Sequence, residues 1–135
     1  MITEEYVSFE TAKLLKEKGY WNIATMLYKE NGDIVNYNVP LNNKGFSSTL
    51  GVFYEAPTLQ MTMKWLREVY NIIIDVSPLS FNTKGSESFI CNNWVFTLWE
   101  NGNPIVSEFY GNQTAYPTYE EACEAAIKYC LKNLI

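Results

Sequence analysis

The chain has 135 residues, 47% of them hydrophobic and 16% aromatic, which is one domain's length and too apolar to stay disordered. Ten basic residues against fifteen acidic ones leave a formal charge of −5, and without a basic run the sequence lacks the footprint that binds phosphate backbones. No histidine is present, which removes the usual general base near neutral pH, the Ser/His and Cys/His nucleophile pairs and the commonest metal ligand.

A first helix is predicted over Phe9 to Lys18, capped by Ser8 and stopped at Gly19, with a narrow stripe of Thr11, Leu14 and Leu15. Ile23 to Glu30 and Asp33 to Val39 read as strands joined by Asn31-Gly32. Asn-Gly favours a two-residue type I′ turn, which would set Tyr28 opposite Val35, Met26 opposite Tyr37 and Ala24 opposite Val39. Those residues then form the core face, and Leu27, Thr25 and Lys29 fall on the wet one. Leu41 to Ala56 is loop-like, with a short strand near Gly51 to Tyr54.

Pro57 to Tyr70 is the sharpest helical signal, with Pro57 suited to the first helical position. At 3.6 residues per turn, Leu59, Thr62, Met63, Leu66, Val69 and Tyr70 share a face, flanked by Trp65. The β-branched run Ile72 to Val76 reads as an interior strand buried on both sides. Ser77 to Ser88 is the candidate for a surface flap. Phe89 to Glu100 and Pro104 to Tyr110 form a second hairpin, whose tip Glu100-Asn101-Gly102 repeats Glu30-Asn31-Gly32. The repeat implies one turn solution used twice. Pro104 cannot donate to a ladder, so the last strand belongs at an edge. Thr118 to Glu121 fits a capping box and repeats the Pro-Thr entry of the middle helix. The helix it opens buries Tyr119, Ala122, Cys123, Ala126, Ile127, Cys130 and Leu134, with Glu124 placed to pair with Lys128.

Three cysteines, Cys91, Cys123 and Cys130, form no Cys-x-x-Cys, so neither a structural zinc nor any other metal or cofactor is expected. Cys123 and Cys130 share a helix face and read as small core residues. Cys91 has no evident base or cation to activate it. Glu120, Glu121 and Glu124 suit a helix N-terminus without any catalytic task. No glycine-rich phosphate loop and no small-molecule ligand is identifiable. Asn112-Gln113-Thr114 matches a glycosylation sequon, and a chance match is expected because no secretory h-region is read after the acidic, polar Met1 to Tyr6. No apolar run reaches membrane length, and free thiols fit a reducing cytoplasm.

Three blocks, Tyr6 to Gly19, Tyr54 to Val69 and Tyr119 to Leu131, resemble an uncharacterised family of small proteins, similar to ones encoded by gut anaerobic bacteria, their prophages and phages. They cover the three helices. The resemblance implies a mobile-element setting inside a bacterial cell. That family carries no assigned activity, so it implies no catalytic or binding residue.

The fold expected is a single α+β domain over 1–135. It has a mainly antiparallel sheet of about five strands built from two Asn-Gly hairpins, with the second and third of three helices on one face. The leading functional reading is a non-catalytic protein that binds a protein partner or itself. The alternative is a small histidine-free enzyme using carboxylate or thiol chemistry. Nucleic-acid binding is disfavoured by charge. The candidate interaction surface is the reverse face of the second hairpin, Val95, Trp99, Val106 and Tyr110, with Trp99 as anchor.

Overall fold

The computed structural model describes residues 1–42, 51–78, 93–105 and 115–135, with backbone alone at 23–24 and 37–42. Among them lie α1 (Phe9–Glu17), β1 (Ile23–Lys29), β2 (Ile34–Asn42), β3 (Phe53–Glu55), α2 (Leu59–Tyr70), β4 (Ile72–Pro78), β5 (Trp94–Glu100), β6 (Asn103–Pro104) and α3 (Tyr119–Asn133). The class is α+β. The strands form two three-stranded antiparallel sheets, β2-β1-β3 and β4-β5-β6, in place of one sheet of about five. Each hairpin takes its third strand against its own first strand, β3 on β1 and β4 on β5, so each closes a separate sheet. The chain divides into two compact units, Met1–Thr62 with Lys128–Ile135, and Met63–Ile127.

In the first unit, Ser8 caps α1 by accepting from the Thr11 N–H at 3.2 Å. Gly19, at φ 80°, ends it in a Schellman motif, with Tyr20 N–H to Leu15 O at 2.9 Å and Gly19 N–H to Lys16 O at 3.1 Å. Thr11, Ala12 and Leu15 are buried. The Phe9 ring lies 5.5 Å from Tyr28 and 5.7 Å from Tyr54, and the Lys16 amine sits 4.9 Å above Tyr54. Within this unit the N-terminal segment is bonded to residues 57–59, through Val7 N–H to Pro57 O and Leu59 N–H to Glu5 O, both 2.9 Å. From α3, Lys128 reaches Glu10 at 3.0 Å and Lys132 reaches it at 3.3 Å. The hydrogen bond from Lys128, then that from Lys132, holds the Glu10 carboxyl below its ordinary range.

The first hairpin departs from the expected register by one residue. Tyr28 pairs with Ile34, Leu27 with Val35 and Met26 with Asn36, and Ala24 pairs with Leu41 beyond an irregularity. Gly32 N–H donates to Lys29 O at 2.9 Å, and Lys29 N–H to Asp33 O at 2.8 Å. That is a type I turn followed by Gly32 at φ 93°, a three-residue loop with a bulge. Its cause is the Asn31 side chain, whose Oδ1 accepts from the Asp33 N–H at 3.0 Å and whose Nδ2 donates to Asp33 Oδ2 at 3.0 Å. This Asx bond holds Asn31 out of the left-handed region that type I′ requires. The slip exchanges the faces. Leu27 is the buried residue, while Met26 and Tyr28 are half-buried.

The Asn101-Gly102 tip does form the type I′ turn, with φ 51° and 82°. The same tripeptide therefore has two solutions. Here a third residue sets the outcome. Asn71, at φ 55°, follows α2 as a left-handed cap. Its carbonyl accepts from the Asn101 N–H at 3.1 Å and its side-chain amide donates to Asn101 Oδ1 at 3.3 Å.

The two Pro-Thr entries behave alike. Thr58 Oγ1 accepts from Met61 N–H, and Thr118 Oγ1 from Glu121 N–H, each at 3.1 Å. Threonine is the cap in both, so Pro57 precedes the cap and is not the first helical residue. In α2, Leu59, Thr62 and Leu66 are buried, but Val69 is 59% exposed, so the stripe fails in its last turn. In α3, Ala122, Cys123, Ala126, Ile127, Cys130 and Leu131 are buried.

Candidate interaction surface

The second unit holds the predicted surface. Its centre is β5, paired with β4 over seven rungs from Ile72–Glu100 to Pro78–Trp94 and with β6 over two, Trp99–Pro104 and Glu100–Asn103. Partners opposite each other in a ladder share a face. One face therefore carries Trp94, Phe96 and Leu98. Leu98 is fully buried, Phe96 stacks on Tyr116 at 6.0 Å, and Trp94 meets Tyr119 of α3 edge-on at 5.5 Å.

The other face carries Val95, Thr97 and Trp99, and it is closed at one end only. Val95 is 6% exposed. Four residues on, about 13 Å along the strand, Trp99 is half-buried. Beside it on β4 is Ile73, 43% exposed, and beside it on β6 is the exposed Pro104. Ile73, Trp99 and Pro104 thus form an apolar row across three strands. On the next rung but one of this face, exposed Asp75 pairs with half-buried Thr97.

Of the four residues expected here, Trp99 belongs to the open face. Val95 shares that face but is covered, so it is no exposed contact. Val106 and Tyr110 lie outside the described residues. Ile73 and Pro104 complete the row and escaped the sequence reading. A triple-isoleucine run reads as a strand buried on both sides, yet β4 ends its sheet among the described strands and shows Ile73 to water. Asp75 was the available signal. It stands two residues from Ile73 and so on the same face, and an unpaired carboxylate there needs water. Ser77 and Pro78, the first residues of the predicted flap, are instead paired in β4. The remainder of the flap lies outside the described residues.

Cys123 and Cys130 are fully buried and neither is in a disulfide, and Cys91 is outside the described residues. Burial pushes the Cys123 thiol up to about 11, leaving roughly a thousandth of it as the reactive thiolate at pH 8. In the native protein, Cys123 and Cys130 should resist a maleimide over hours and react within minutes in denaturant, read site by site by mass spectrometry. Fast native labelling of both would show that the α3 face opens readily.

The first unit contains a second chemically distinctive group, Glu55. It is 2% exposed on β3, and its two oxygens share one donor, the Asn22 N–H, at 3.1 Å each. Burial pushes this carboxyl up to about 7 against the pull of the Asn22 bond. Tyr20 is 5% exposed nearby, raised by its own burial and further by the Glu55 charge. The sequence reading passed over Glu55 because a lone glutamate in Phe-Tyr-Glu-Ala-Pro carries no motif. Its enclosure ties its protonation state to the stability of the fold.

Among the described residues no group of three or more Cys, Asp or Glu side chains is placed to hold a metal ion. No described helix is long and apolar enough to cross a membrane. Comparison with protein-family models, with curated proteins and with solved structures gives no match to this chain.

Proposed function

We propose that this protein is a non-catalytic protein-interaction module, which meets its partner at the open end of the β4–β5–β6 face. The observation that carries the reading is the cross-strand row of Ile73, Trp99 and Pro104. A large aromatic flanked by exposed apolar groups is the usual centre of a docking contact. The row lies on a regular sheet, which holds the three side chains in fixed register before any partner arrives. The setting proposed is a bacterial cell carrying mobile elements, on the resemblance of the three helical blocks.

Ile73→Lys tests the reading, because that side chain already stands in water and its replacement leaves the core alone. The variant should keep the wild-type circular dichroism. It should lose roughly tenfold or more in affinity for a partner that the wild type retains, measured with both proteins purified. Trp99→Glu should do the same with a larger loss. Should Trp99→Glu unfold, Trp99 serves the core and Ile73→Lys decides alone. Unchanged affinity and unchanged mass by light scattering in the folded Ile73→Lys variant would remove this face from the function.

A further inference from the structure

We infer that the Ile73–Trp99–Pro104 row receives a cationic protein segment, one aliphatic or aromatic side chain seated on the row with lysine or arginine beside it. This rests on the docking reading above and adds the chemistry of the partner. The argument is the distribution of charge. Between Met63 and Ile127 the sequence holds eight acidic residues and three basic ones, a balance of −5, while the rest of the chain holds seven of each. The whole net charge therefore belongs to the unit that bears the row.

Local geometry sharpens this. Asp75 is exposed on the same face as Ile73 and two residues along β4, about 7 Å away. That is within one Debye length at physiological salt, about 8 Å. Glu100 pairs with Ile72 and Asn103 and so turns to the opposite face. Among the basic residues of this unit, Lys64 and Arg67 lie on α2, where the Lys64 amine is 3.9 Å from Glu68, and Lys84 is outside the described residues. A second copy fits poorly, because two such units meeting at this face would oppose two −5 charges and two Asp75 carboxylates. A basic partner instead gains from steering by the whole unit and from a direct contact at Asp75. An exposed carboxylate on an end strand also guards against edge-to-edge pairing. That duty needs no cationic partner, and the experiment separates the two.

A random linear peptide library is panned on the immobilised wild-type protein and on Ile73→Lys, and the peptides retained only by the wild type are sequenced. The expected result is enrichment of lysine and arginine next to an aliphatic or aromatic residue. The best such peptide, synthesised, should bind Asp75→Asn roughly three- to tenfold more weakly at low salt, and the difference should shrink at high salt. Ile73-dependent peptides that are neutral or acidic would overturn the cationic partner and leave the docking face standing. Peptides bound equally by Asp75→Asn, with that variant newly self-associating in light scattering, would overturn it too and assign Asp75 the guarding role. Recovery of no Ile73-dependent peptide would defeat both the cationic partner and the docking face.

Discussion

Leu98→Ala should destabilise the protein by about 2–5 kcal/mol, the range for truncating a fully buried leucine. Leu98 has no exposed surface. It sits on the central strand of its sheet, opposite Ile74, and its carbonyl accepts from the Ile105 N–H at 2.9 Å. The flanking strands fix its backbone, so the neighbours cannot collapse far into the space left behind. A loss of this size is a large share of a typical stability of roughly 5–15 kcal/mol. It should show as a lower urea midpoint with an unchanged slope. Leu98→Met, which keeps the volume, should cost less than about 1.5 kcal/mol. If both variants cost the same, shape at this site does not govern stability and the packing described around β5 is wrong.

Glu55 gives the second large effect, and its sign is opposite to that of an ion-paired carboxylate. Its folded value is raised to about 7 from an ordinary 4.5, so the folded protein holds a proton that the unfolded chain releases. Stability is then greatest below pH 4.5, falls between 4.5 and about 7, and is level above. At about 1.4 kcal/mol for each pH unit of difference, the loss across that window is about 3 kcal/mol. No histidine competes there. Glu10 contributes in the other direction, because its carboxyl is held low and its stabilisation is lost as pH falls through that lowered value, in the acid range. Glu55→Gln should keep the Asn22 bond through its amide oxygen, flatten the profile from pH 5 to 7.5 and make the protein more stable than wild type at pH 8. Urea melts across that range decide the matter. A wild-type profile without the fall would mean that Glu55 is solvated.

Local chemistry made most elements legible. Ser8 and Thr118 cap helices because short side-chain oxygens reach the free N–H groups of a first turn, and such signals stay within four residues; Thr58 does the same, although the sequence reading sets Pro57 inside the helix. The Asn-Gly turns were legible as turns but not as types. The choice rests on Asp33 in one and on Asn71, thirty residues away, in the other. Sheet membership was not legible, since the period of β1 and β5 says which side chains share a face and nothing about which strand lies alongside. Trp99 could be placed on a half-covered face from alternation within its own strand. Ile73 and Pro104 needed the register across strands. Glu55 needed knowledge of what buries it.

The connections within the two sheets differ in length: β1 and β2 are joined through only four residues between Lys29 and Ile34, whereas fifteen separate Pro78 from Trp94. Closing the longer connection costs roughly 1 kcal/mol more in chain entropy. Among the described residues the β5–β6 hairpin pairs over two rungs, and because a lone two-stranded hairpin is marginal in water, this sheet depends on β4. The β1–β2 ladder is therefore expected to form before the β4–β5 ladder. In pulse-labelled refolding, amides of β1 should gain protection before those of β5, and the reverse order would refute it. A sheet that assembles late is also the one whose apolar row of Ile73, Trp99 and Pro104 stays open longest in the unfinished chain, which makes it the surface most exposed to misassociation before folding is complete.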